Sequence, residues 1–158
     1  MKHKFVRGAL LAVFATGLTG AVRPLPSLSA YIGKYPSEKV AGISLYDHPK
    51  FRALVRAAAP SKMVEEVVLA PGAEQRVERQ GALLVVQICE LHICGDHQWS
   101  VAILSPNGPA AICYYDSTLM AEGRWFVGVS IIARNNVCWE GEQTSVPDPV
   151  FTRLAKGH

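Results

Sequence analysis

Four cysteines, at positions 89, 94, 113 and 138, lie well downstream of an N-terminal stretch that reads as an export leader, and this combination limits the chain's folds more than any other feature. Lys2, Lys4 and Arg7 precede an apolar run over 8–22, and small residues with two prolines follow before Tyr31. That order is the pattern of a secretory signal peptide. A cut after Ala30 is expected, with Thr19-Gly20-Ala21 as the alternative site, so residues 1–30 are read as the leader and 31–158 as one mature domain. The apolar run is short for a membrane span, and no cysteine lies near it to carry a lipid anchor. A soluble mature protein without a membrane partner is the expectation.

Export matters because an even number of cysteines in an oxidising compartment favours disulfides over free thiols. Four cysteines allow three pairings, and the nearest-neighbour scheme, Cys89–Cys94 with Cys113–Cys138, is the expected one. In a chain-entropy account the longer loop contributes about 3.5 kcal/mol and the short one about 2 kcal/mol. The short bridge therefore shapes a turn more than it staples the fold. Removing the leader also takes away Lys2, Lys4, Arg7 and Arg23, leaving twelve of sixteen basic residues against thirteen acids. The net charge falls to about −1, and a nucleic-acid partner is not expected.

Asp47-His48-Pro49 reads as a helix start, with Asp47 as N-cap, Pro49 in the first turn, and Phe51, Leu54, Val55 and Ala58 as the apolar stripe. Pro60 ends it, and Ser61 can cap a second short helix through Leu69. After Ala70-Pro71-Gly72 the pattern changes to short apolar runs bounded by turn residues, which predicts strands over 75–80, 82–89, 98–105, 110–116 and 124–131. A short strand is also expected at 42–45, a tight turn at 105–109, and a last helical turn after Asp148-Pro149. Helices first and strands afterwards give an α+β domain whose mostly antiparallel five-stranded sheet follows two short helices. Trp99, Trp125 and Trp139 are read as core, and Tyr114 and Asp116 share one strand face with Tyr115 on the other.

This map puts Cys89-Glu90-Leu91-His92-Ile93-Cys94, with Gly95, Asp96 and His97 directly after it, in the connection between two strands. Such loops are where a scaffold presents functional residues. The segment admits several readings. His92 can be a solvated residue on a pinned turn. Cys89, His92, Cys94 and His97 are zinc-ligand types, although all four would come from nine consecutive residues and export exposes both thiols to oxidation. A thiol enzyme needs one cysteine kept reduced beside a base. In a recognition reading, a rigid loop carries His92 into another molecule's cleft with little loss of entropy. There a protonated imidazole can donate from both nitrogens to paired carboxylates, as glycosidases carry them. Asp96 and His97 either support the loop, through His92 or backbone amides, or Asp96 caps its own turn. No Ser-His-Asp set, phosphate-cradling glycine loop or motif-placed pair of acids is present, so an enzyme, a cofactor and a metal are not expected.

At Cys89, His92, Cys94 and Gly95, followed by Trp99-Ser100-Val101-Ala102-Ile103-Leu104, the chain resembles the inhibitor of vertebrate lysozyme family, known as Ivy, whose members carry a Cys-x-x-His-x-Cys loop between strands. The resemblance implies an exported α+β domain that inhibits c-type lysozyme by inserting this loop into the catalytic cleft. It makes residues 89–94 the inhibitory loop, His92 its contact to the catalytic carboxylates, and Cys89–Cys94 the bridge that shapes it. The implied partner is lysozyme or a related muramidase, including lytic transglycosylases of the periplasm, with homodimerisation left open. Leu91 and Ile93 stand where the best-known inhibitory loop has proline and aspartate, and Glu90 adds a negative charge beside the loop.

Overall fold

The apolar run that ends at Cys89 becomes a strand buried along its whole length, and the sheet extends outward from it on both sides. The computed structural model describes residues 24–140 and 145–157; residues 1–23, most of the expected leader, lie outside that range. The strands are β1 (Ala73–Glu74), β2 (Glu78–Gln80), β3 (Leu83–Cys89), β4 (His97–Leu104), β5 (Ala110–Asp116), β6 (Gly123–Val127) and β7 (Ser130–Asn135). All pairings are antiparallel, in the order β1-β3-β4-β5-β6-β7, with β2 also on β3. The helices are α1 (Pro49–Ala58), α2 (Lys62–Val68) and α3 (Asp148–Ala155), and a 3-10 turn covers Leu28–Tyr31.

Alternation along the strands supplies two apolar faces, so the central strands read as continuous apolar runs. Leu84, Val86, Ile88, Trp99, Val101, Ile103, Ile112 and Tyr114 pack with α1, α2 and the N-terminal segment. Leu83, Val85, Cys89, Ala102, Cys113 and Trp125 pack on the other side with Cys138, Trp139, Val150 and Leu154. The α+β class holds, both disulfides form as paired by spacing, and all three tryptophans are buried.

The sheet has seven strands where five were expected. The strand expected at 75–80 is confined to 78–80, and a separate short strand lies just before that range at 73–74, because Val77 leaves the ladder. Its N–H bonds the carbonyl of Lys34 and its carbonyl takes the N–H of Gly33, both at 2.8 Å. The stretch at 124–131 divides at Gly128, whose φ of +57° makes a two-residue hairpin turn between Val127 and Ser130. The strand expected at 42–45 is only an isolated bridge between Val40 and Ile43. Asp47 is not the cap of α1; it accepts a 2.6 Å bond from the Ser44 hydroxyl. The cap is His48, whose Nδ1 accepts from the Lys50 N–H at 3.2 Å. That leaves the proton on Nε2, which donates to the Pro26 carbonyl at 2.9 Å.

This bond ties residues upstream of Tyr31 into the domain, and Leu28 beside it is 2% exposed. A leader cut after Ala30 would take both Leu28 and the Pro26 carbonyl out of the fold, whereas a cut after Ala21 keeps them. Leu28→Ala is expected to cost about 2–4 kcal/mol, the range for emptying a fully packed leucine site. Urea unfolding of the 24–158 chain and its Leu28→Ala variant measures it; a loss well under 1 kcal/mol would show that the segment is dispensable.

Candidate functional site

The loop follows from the register of β3 on β4, in which Cys89 lies opposite Gln98. Glu90 N–H bonds the His97 carbonyl at 3.0 Å, closing the hairpin one step further, and the Ile93 N–H bonds the Glu90 carbonyl at 3.2 Å. In this four-residue turn His92 holds the third position with φ +72°, as a type II turn requires. Glycine is the usual residue there. A side chain in the left-handed region costs about 1–2 kcal/mol, although histidine enters it more readily than most residues. The Cys89–Cys94 bridge, with Cα atoms 4.9 Å apart, spans the turn from below. Amides of Asp96 and His97 both bond the Ile93 carbonyl at 2.9 Å and bring the chain back into β4. His92 is exposed at the tip between Leu91, 57% exposed, and Ile93, 42% exposed.

Two side chains at the start of β4 grip the loop from opposite faces of the sheet. On the helix side, His97 Nδ1 lies 2.5 Å from Glu90 Oε2 and its Nε2 lies 3.0 Å from the Tyr114 hydroxyl. The His97 ring also sits edge-on to Trp99 and Tyr114, with centroids 5.2 and 5.4 Å away. On the other side, buried Gln98 donates from Nε2 to the Cys94 carbonyl at 2.6 Å and accepts from the Trp139 N–H at 2.9 Å. Trp139 follows Cys138, so Gln98 links the loop to the second disulfide. The connection from α2 to β1 closes against the loop as well: a Cβ at Gly72 would collide with the Cys89 carbonyl oxygen.

Carboxylates surround this base. Asp116, opposite His97 in the β4–β5 register, is held below the ordinary carboxylate range chiefly by the Thr118 hydroxyl at 2.6 Å, with the Thr118 amide, His97 and Tyr114 adding to it. The Tyr114 phenol is pushed up to about 12, first by burial and then by Asp116 and Glu90.

The residues expected as a loop, 89–94, do form one, with Gly95, Asp96 and His97 at its return. His97 does not support it through His92, because both of its nitrogens are taken by Glu90 and Tyr114. Asp96 contributes through its backbone, its carbonyl accepting from the Ser117 N–H at 2.8 Å. With both thiols oxidised, the zinc and thiol-enzyme readings lose their ligands and nucleophile. Among the described residues no three histidine, cysteine, aspartate or glutamate side chains are grouped to hold a metal ion, and no helix is long and apolar enough to cross a membrane. Two disulfides suit an oxidising compartment outside the cytoplasm. Gln98 and Tyr114 were missed by sequence reasoning; only strand register brings them to the loop. No family model, curated protein or solved structure matches this chain.

Because Tyr114 ionises near 10 when unfolded and near 12 when folded, its contribution to stability is complete below pH about 10 and is lost as pH rises towards 12. Wild-type urea midpoints should therefore fall between about pH 9 and about pH 11. Tyr114→Phe should flatten that fall in part, since the Tyr31 and Tyr46 phenols, also raised by burial, supply the rest. An unchanged slope would remove Tyr114 from this role.

Proposed function

We propose that this protein is an exported inhibitor of lysozyme, c-type first, that plugs the catalytic cleft with residues 89–94 and sets His92 against the catalytic carboxylates. It is delivered to the periplasm by its leader and acts there without a cofactor. The observation that carries the reading is His92 itself, exposed in a left-handed turn position on a disulfide-closed loop that is braced from both faces of the sheet. A loop held in this way loses little conformational freedom on insertion. Glycosidases keep one carboxylic acid and one carboxylate a few ångströms apart. An imidazolium donating from both nitrogens fits between them and displaces the substrate.

A second reading keeps the same loop but changes the target to one of the cell's own lytic transglycosylases, with lysozyme left uninhibited. Leu91 and Ile93 favour it. They make the tip apolar on both sides of His92, where the best-known inhibitory loop has proline and aspartate.

Titrating c-, g- and i-type lysozymes with the mature protein decides between these readings. Inhibition at micromolar concentration or below is expected for the c-type enzyme, and none for any type would overturn the first reading. Loss of a central hot-spot contact is worth about 2–4 kcal/mol, so His92→Ala should weaken inhibition by about 30- to 1000-fold. His92→Gly accommodates the backbone and should weaken it comparably; retained inhibition in both variants would remove His92 from its role. Cys89→Ser with Cys94→Ser should weaken inhibition by about tenfold through a looser loop.

A further inference from the structure

On the helix side of the sheet, next to the loop, lies an open cleft of about 530 Å³. Val67, Pro71, Leu91 and Trp99 give it apolar walls, and Glu90 and His97 its polar edge. The Glu90 side chain is 54% exposed, and Oε2 alone is engaged, by His97. Oε1 has no hydrogen-bond partner among the described residues, so His97 is a positioning residue that pins the carboxylate by one oxygen and leaves the other as an acceptor.

The sign of charge narrows what such a cleft can take. Between Arg79 and Arg124 the chain carries Glu90, Asp96, Asp116 and Glu122 and neither lysine nor arginine. Glu122 is engaged by Arg134 on the neighbouring strand. Glu90, Asp96 and Asp116 gather at the loop end, since Asp116 lies opposite His97 and the Asp96 carbonyl bonds Ser117. An anion would be repelled there, and a neutral apolar group would desolvate Glu90 without pairing it. An alkyl stem that ends in a cation satisfies both the walls and the edge.

We propose that this cleft receives a lysine or arginine side chain of the partner protein, its stem along Leu91, Pro71, Val67 and Trp99 and its charged head on Glu90 Oε1. The proposal deepens the recognition reading and rests on it only for the identity of the partner. It adds a second contact of opposite sign to the first: His92 faces carboxylates, and Glu90 faces a cation beside them.

The test needs no lysozyme. Isotope-labelled full-length mature protein is titrated with n-butylguanidinium, and with n-butylurea as the neutral control, while amide and indole resonances are followed by NMR. A fragment of this size should saturate at a Kd on the order of 1 mM, with shifts at the Gly72 and Leu91 amides and the Trp99 indole. The urea should bind at least about tenfold more weakly, and Glu90→Gln should weaken guanidinium binding by about tenfold. Asp148→Asn, which removes a carboxylate from α3 on the opposite side of the sheet, should leave the affinity within about twofold. Equal binding of the two probes, an unaffected Glu90→Gln variant, absence of saturation, or shifts centred elsewhere would each overturn the proposal. Failure of lysozyme inhibition would not, so the two claims are tested separately.

Discussion

The pairing of Cys89 with Gln98 is the constraint on which the loop depends. It is the last rung of a register that runs from Leu83 opposite Leu104 without a break. Side chains alternate between faces along a strand, so His97 and Gln98, consecutive in sequence, emerge on opposite sides of the sheet. One meets Glu90 and Tyr114 among the helix-side groups; the other meets Cys94 and Trp139 among the C-terminal ones. Shifting β4 by a single residue would exchange the two faces and bury a glutamine beneath the helices. The apolar sets on both sides of β3 and β4 forbid that slip, so the cores that stabilise the domain also aim the loop.

Rigidity at the tip comes from these supports more than from the short disulfide alone. A five-residue separation between bridged cysteines closes a small ring, and small rings remove little entropy from the unfolded chain. The turn also holds His92 in a backbone region that most side chains avoid. Strain of this kind persists only where the surroundings over-determine it. Here the surroundings are the paired amides on the Ile93 carbonyl, the Gln98 bond to Cys94 and the Glu90–His97 contact.

Much of this fold was legible because its signals are local. The apolar runs of β3, β4 and β5, the turn at 105–109 and the Ser61 cap each depend on a few neighbouring residues, and the Cys89–Cys94 bridge joins cysteines only five residues apart. The misses share a different cause. Val77 leaves its strand for Lys34 and Gly33, His48 displaces Asp47 as cap because its other nitrogen reaches Pro26, and Leu28 is core only once α1 has packed. Each depends on a partner distant in sequence. The split of β6 from β7 is the exception, since Gly128 between two apolar runs was a visible hairpin signal. The site divides in the same way: residues 89–97 were visible as a motif, whereas Gln98 and Tyr114 join it only through register, and Trp139 through its amide bond to Gln98 beside the Cys113–Cys138 bridge.

Glu90 looks at first like a defect in a loop proposed to meet carboxylates. Its setting argues otherwise. His97 takes one oxygen, so the charge is partly compensated within the domain, and the other oxygen stands beside an apolar cleft set back from the tip. Along the axis of the loop the chemistry therefore runs from apolar residues flanking an imidazole at the tip to carboxylates at the base. A partner whose own cleft carries acids at its floor and a basic residue at its rim meets both contacts in one orientation and neither when reversed. Ordered charges of this kind add more to orientation and discrimination than to raw affinity. Under the proposed inhibitor reading a plug would need that discrimination, since a loop that enters a cleft backwards leaves the catalytic acids free.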